Sequence, residues 1–230
     1  MRKILLIISL VAMISMGANA QTKNSRIGIK MGPTIDWASS GSTAANNKGI
    51  GIGLGVGLVY DHYVSSHIAV SSGANLNLLH MKYMFTDYRF VEDFLEKTDV
   101  SVERRLKATN LEIPLKLKLN VDVTDSFNAY VEAGGGLSFN LKDYAKDKYD
   151  FYWVSFEGDE YVDCTNQYRL MQLSMIFGLG AEYEINRNVS AFAQVTFDHG
   201  FSNAFVSSLE KQTGSVLRNN FIGVEIGILY

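Results

Sequence analysis

In 230 residues the chain has one cysteine, Cys164, and two prolines, Pro33 and Pro114. A lone thiol excludes an intramolecular disulfide framework. Two prolines and no low-complexity stretch leave no linker, so the length suits one domain. After the first 16 residues no stretch approaches the roughly 18 uncharged apolar residues that a membrane helix needs. Basic charge is not in excess either: 21 Lys and Arg face 24 Asp and Glu, a net charge of −3, which offers nucleic acid nothing. His62, His67 and His80 fall in a turn or near strand ends without metal-ligand spacing, so no metal or cofactor is expected.

The opening stretch, MRKILLIISLVAMISMGANAQ, places Arg2 and Lys3 before an apolar run from Ile4 to Met16 and ends on Ala18-Asn19-Ala20. That is the layout of a secretory leader with an A-x-A cleavage site, so residues 1–20 are expected to be a signal peptide. The mature chain would begin at Gln21, with its net charge taken from −3 to −5 by loss of the two basic residues. The apolar run is too short for a bilayer of about 30 Å, and no cysteine stands at the cleavage site to carry a lipid anchor.

What is present is glycine in a strict rhythm. GIGIGLGVGLVY, residues 49–60, sets glycine at every odd position from Gly49 to Gly57 and a bulky apolar residue at every even one. A phosphate-cradling loop needs glycines at i, i+2 and i+5, and here i+5 always falls on Ile, Leu or Val. A helix would scatter Ile50, Ile52, Leu54, Val56 and Leu58 around its turns. Period 2 makes this a strand, one face of which has almost no side chains.

The same two-faced pattern recurs. Apolar rows run through Ile27, Ile29 and Met31; Ile50 to Leu58; Ile68, Val70, Ala74, Leu76 and Leu78; and Leu111, Ile113, Leu115, Leu117 and Leu119. They continue through Val131, Ala133, Leu137, Phe139 and Leu141; Met175, Phe177, Leu179, Ala181 and Tyr183; Val189 to Phe197; and Ile222 to Tyr230. No member is charged, and the opposite faces are glycine and polar. Short connections near Asp61–Ser66, Asp122–Phe127 and Asn186–Asn188 alternate with long loops at about 37–48, 86–105, 142–167 and 198–216.

An all-β, eight-stranded antiparallel up-and-down transmembrane β-barrel predicts this alternation, with short periplasmic turns and long outer loops. Closure is required because an open sheet edge would leave unpaired amides in lipid. Eight strands leave an interior that side chains fill, so a plugged barrel is expected. Glycines give room to large polar neighbours: Gly53 near Asn75, Gly51 near Asn77, and Gly180 opposite Gln194. The interior polar set is Lys30, Glu112, Lys116, Lys118, Glu132, Glu182, Glu184 and Glu225, and buried charges must be paired. Lys116 and Lys118 face Glu132, and Lys30 closes beside Glu225. A soluble lipocalin-like barrel is the structural rival, but it would expose glycines, lysines and glutamates on one outer face.

LEIPLKLKLN (Leu111–Asn120), YVEAGGGLSFNL (Tyr130–Leu141), FGLGAEYEI (Phe177–Ile185), FDHGFSNAF (Phe197–Phe205) and the closing FIGVEIGILY resemble the PorT-like outer-membrane β-barrel family. The resemblance covers nearly all of residues 25–230. It implies a Gram-negative outer membrane, contact with outer-membrane lipid and lipopolysaccharide, and, for PorT itself, a role in type IX protein secretion. Tyr230, with Ile228 and Ile226 at alternate positions before it, resembles the C-terminal signal read by the outer-membrane assembly machinery. Fold alone does not transfer function.

Catalysis has one candidate. DHGFSNA (Asp198–Ala204) resembles a lipid A deacylase motif, but His199 and Ser202 are three apart here, which on a strand puts them on opposite faces. Glu182 and Glu184 share an inward face and could form an acid/base pair, with ion pairing as the alternative. Cys164 lies in the third outer loop without a partner. That loop also holds Tyr152, Trp153 and Phe156 among acidic residues; they could bind glycan, peptide or protein, or continue the hairpin above the membrane and pack on one another. The first expectation is a non-enzymatic barrel that supports secretion or envelope assembly through protein contacts, including secretion-system proteins. The second is a surface ligand-binding or adhesion barrel, and the third a lipid A-modifying enzyme.

Overall fold

The computed structural model describes residues 25–40, 45–90, 97–150, 155–206 and 216–230. The expected leader, residues 1–20, lies outside these. Among the described residues eleven strands follow in chain order: β1 (Ser25–Ser40), β2 (Ala45–Gly49), β3 (Gly51–Tyr63), β4 (Ile68–Phe90), β5 (Lys97–Thr124), β6 (Phe127–Asp150), β7 (Ser155–Glu157), β8 (Val162–Asp163), β9 (Met171–Asn186), β10 (Val189–Gly200) and β11 (Leu217–Leu229). Among the described residues no helix is long and apolar enough to cross a membrane.

Antiparallel pairing runs β1–β3–β4–β5–β6–β9–β10–β11 and returns to β1, closing an eight-stranded barrel with β2 continuing the β3 stave. The final residue seals the ring: Tyr230 N donates to Ile27 O at 2.7 Å and Ile27 N to Tyr230 O at 2.9 Å. Both prolines sit where the ladder to one neighbour is interrupted, Pro33 on the β11 side of β1 and Pro114 on the β4 side of β5. Their missing N–H therefore breaks no pairing. Ser72 Oγ donates to Pro114 O at 2.8 Å across the second gap.

The apolar rows face outward, as a lipid-facing belt requires and a lipocalin-like barrel does not: Ile52, Leu115, Leu117, Leu179 and Ile226 are all exposed. The polar rows are buried. Small faces large across the interior. A Cβ on Gly57 would strike the Asn75 amide, and one on Gly180 would strike the Tyr130 ring and come within 2.8 Å of Gln194 Cβ.

Register confirms Gly180 opposite Gln194 but corrects the first hairpin. Asn75 pairs with Gly57 and Asn77 with Gly55, not with Gly53 and Gly51. The cause is the turn: β3 keeps its ladder through Tyr63, paired with Ala69, so the turn is residues 64–67 and Asp61 belongs to the strand. Gly53 instead lies under Thr34 and Asp36 of β1.

The described parts of the first three segments expected as long loops are largely strand. β4 extends to Phe90, β5 begins at Lys97 and β6 continues to Asp150, forming a sheet that rises beyond the belt. There the polarity of the faces inverts. Leu79, Met81, Tyr83, Val102 and Leu106 point inward and are buried, while His80, Lys82, Glu103, Arg105 and Lys107 point outward. Water replaces lipid outside, so the apolar side chains turn to the inside.

Candidate functional site

Two layers fill the barrel. The lower one is a chain of ion pairs and hydrogen bonds that stitches staves together. Lys30 Nζ donates to both Glu225 oxygens at 2.9 Å, and Glu225 also accepts from Gln194, which in turn accepts from Tyr130 at 2.8 Å. Lys116 pairs with Glu132, and Lys118 holds both Asp61, at 2.8 Å, and Glu182. Glu182 also takes Arg26 at 3.2 Å, and Glu184 lies 3.7 Å from the same guanidinium, so both carboxylates are engaged in ion pairs. Such charges are tolerable in a low-dielectric interior because each has a partner.

Glu112 departs from the expectation of a cationic partner. It accepts from Asn75 at 2.8 Å and from Asn77 at 3.5 Å, both amides. Reading the residues had missed Arg26, Asp61 and Asp198, the last of which accepts from Ser174 at 2.8 Å. Parity carried the signal for the first two, since Arg26 is in phase with Lys30 and Asp61 with the glycine row.

Above this lies an apolar cap. Tyr83, Phe85, Leu106, Cys164, Tyr168, Phe205, Leu217 and Phe221 form one buried cluster, with Phe205 fully enclosed and its ring edge-on to Tyr83 and Phe85. Arg104 ties the third outer connection to the wall: Nε and Nη2 donate to Asp147 at 2.7 and 2.6 Å, and Nη1 to Gln167 at 2.6 Å. Cys164 is buried here, and burial pushes its thiol up to about 12, which keeps it an unreactive core residue. Interior cavities among the described residues hold about 10, 20 and 10 Å³, room for one water each at most.

His199 and Ser202 do not act on each other. His199 Nδ1 is 2.6 Å from Asn220 Oδ1 and its ring stacks beside Phe197, whereas Ser202 Oγ accepts from Leu173 N at 2.8 Å. Of the expected loop aromatics, Tyr152 and Trp153 lie outside the described residues. Phe156 sits on β7, opposite Tyr149 of β6, so the hairpin does continue above the belt there, and it is 59% exposed. Ile226 and Ile228 line the outer face of β11 and Tyr230, one residue past its end, is exposed as well. No group of His, Cys, Asp and Glu among the described residues could hold a metal.

Solved structures similar to this chain include Neisserial surface protein A (11% identity, 88% of this chain and 95% of that one, TM-score 0.43). Others are OprG from Pseudomonas aeruginosa (11%, 90% and 96%, 0.42) and the outer membrane protease OmpT from Escherichia coli (10%, 91% and 97%, 0.48). No curated protein sequence matches the chain. Residues 19–206 match the outer membrane protein beta-barrel domain family. With the closed ring, the lipid-facing belt and the sealed polar interior, that match makes this chain a member of the outer membrane β-barrel domain family, resident in the outer membrane.

Proposed function

We propose that this barrel is a non-conducting, non-enzymatic scaffold that supports protein secretion or envelope assembly through protein contacts made outside the membrane. The observation that carries the reading is the filled interior: among the described residues, interlocked ion pairs below, an apolar cap above and cavities no larger than a water molecule leave no path for a solute. The separate engagement of His199 and Ser202 argues against hydrolysis. The surface left for work is the raised sheet of β4, β5 and β6. The leader is read as cleaved after Ala20, which intact mass of the exported protein checks.

The test is deletion of the gene followed by comparison of the secreted and periplasmic proteomes with those of the parent. Cargo stranded in the periplasm, and released again by the intact gene, supports the reading; an unchanged secretome and an unchanged set of outer-membrane proteins overturn it. A second reading, ligand capture at the surface, is favoured by the exposure of Phe156, Tyr161 and Val162 on the third outer connection. Loss of ligand binding on replacing those residues, with the secretome intact, would establish it instead.

A further inference from the structure

Directly beyond the belt on β4, β5 and β6 the outward row turns basic. Leu78, Leu111 and Leu141 are the last apolar members of the three staves. Past them come His80 and Lys82 on β4, Lys107 and Arg105 on β5, and Lys142, Tyr144 and Lys146 on β6. Register places Lys107 between His80 and Tyr144, and one step higher Arg105 between Lys82 and Lys146.

Like charges directly opposite one another on neighbouring strands repel. Relief is incomplete: Lys82 lies 2.8 Å from Glu103, while Glu157 serves both Lys146 at 3.2 Å and Arg105 at 3.7 Å. Asp163, opposite Tyr144, accepts from Thr165 and acts through space on the Lys142 ammonium. Among the described residues neither Lys107 nor Lys142 has a carboxylate at ion-pair distance. Each lies over a tyrosine ring instead, Lys107 4.1 Å from the centroid of Tyr161 and Lys142 4.8 Å from that of Tyr144. The rest of the described rim is mixed, with Trp37, Phe197, His199 and Phe201 beside the separate cations Arg169 and Arg218.

We propose that this patch binds the phosphorylated headgroup of a glycolipid in the outer leaflet. Lys107, Lys142 and Arg105 grip the phosphate, Tyr144 and Tyr161 offer ring faces to the sugar, and the acyl chains lie on Leu78, Leu111 and Leu141 below. The occupant follows from charge and continuity, because the cationic row runs into the lipid-facing row directly on β4 and β6 and with only Thr109 between on β5, and a soluble phosphosugar would leave the lipid-facing row unused. Heights agree as well. A rise of about 3.3 Å per residue and a tilt of about 40° put Lys107 roughly 10 Å above Leu111. A lysine stem bending toward the membrane brings the ammonium into the headgroup layer. This inference is independent of the protein-contact reading.

Native mass spectrometry of the purified chain in detergent tests it, with bis-phosphorylated lipid A, its dephosphorylated form, phosphatidylglycerol and inorganic phosphate as probes. One bis-phosphorylated lipid A should be retained. Its apparent affinity should fall at least tenfold in Lys107→Gln/Lys142→Gln/Arg105→Gln but not in Lys148→Gln, a residue nearer the sheet tip and 3.4 Å from Asp150. Removal of the phosphates should cost the unaltered protein the same factor, an arm that needs no variant to fold. Unchanged retention by the triple variant with native heat-dependent gel mobility, equal retention of dephosphorylated lipid A or phosphatidylglycerol, or displacement by inorganic phosphate would each overturn the proposal.

Discussion

Lys118 of β5 reaches past β4 to Asp61 of β3, 2.8 Å from Nζ to Oδ2, and the same ammonium holds Glu182 of β9. One cation thus joins three staves that are not neighbours in sequence. Both carboxylates are buried. Lys118→Met strands Asp61 and leaves Glu182 with Arg26 alone, and a buried charge left without its partner costs about 3 to 5 kcal/mol. Urea refolding in detergent should read a loss of that size, and Lys118→Met/Asp61→Asn/Glu182→Gln should recover most of it. A triple variant as unstable as the single one would mean that packing around Lys118, not charge, sets the loss.

The glycine row makes a sharper contrast within one strand. A Cβ on Gly57 would strike the Asn75 amide and come within 3.0 Å of Ala74 O, and Asn75 cannot swing away because it is bonded to Glu112 at 2.8 Å. At Gly55 the nearest atom would be Asn77 Oδ1 at 3.2 Å. Gly57→Ala should therefore lose about 1 to 3 kcal/mol through overpacking, and Gly55→Ala much less. Equal losses in the same titration would contradict the observed register of β3 and β4.

The eight staves and their faces were legible because lipid on one side and a crowded interior on the other enforce strict alternation through the belt. Closing the first strand on the last placed Lys30 beside Glu225, and counting from the 186–188 turn placed Gly180 beside Gln194. The count failed at Asp61, whose polarity reads as a turn although it is an inward strand residue balanced by Lys118. It failed again from Leu79 to Phe85, where apolar residues move to the inward positions once water bathes the outside. The cap was not legible at all. Phe205 meets Tyr83 and Phe85 from more than a hundred residues away, and no local period records such a contact.

Face assignment can be tested on adjacent residues. Leu117 is 49% exposed on the belt, whereas Lys116 is buried against Glu132. Leu117→Arg sets a guanidinium in hydrocarbon near the midplane and should cost about 2 to 4 kcal/mol. Nothing inside the barrel should relieve that loss. Lys116→Gln also destabilises, by taking from Glu132 the ammonium that bonds it, but adding Glu132→Gln should restore much of it. Coupling of about 1 kcal/mol or more between positions 116 and 132, with none between 117 and 132, is the expected result of a double-mutant cycle in a refolding titration.

Protonation should act on the cap through Asp143, which lies beyond the belt on β6. Burial pushes its carboxyl up to about 6, against the hydrogen bond from Asn140 that favours the charged form. Its backbone holds the third outer connection, with Asp143 N donating to Thr165 Oγ1 at 2.9 Å and Cys164 N to Asp143 O at 3.0 Å. The folded value is raised above the unfolded one, so this group's stabilising contribution is fully present below about pH 4 and is lost as pH rises through 6. Lowering the pH from 7.5 to 5 should therefore tighten residues 162–168, slowing their amide hydrogen exchange once intrinsic rates are corrected. Asp143→Asn, neutral throughout, should hold the slow exchange at both pH values, by on the order of 2 kcal/mol at pH 7.5. Identical pH profiles for the variant and the parent would show that Asp143 is charged in the cap and that its neighbours already balance it.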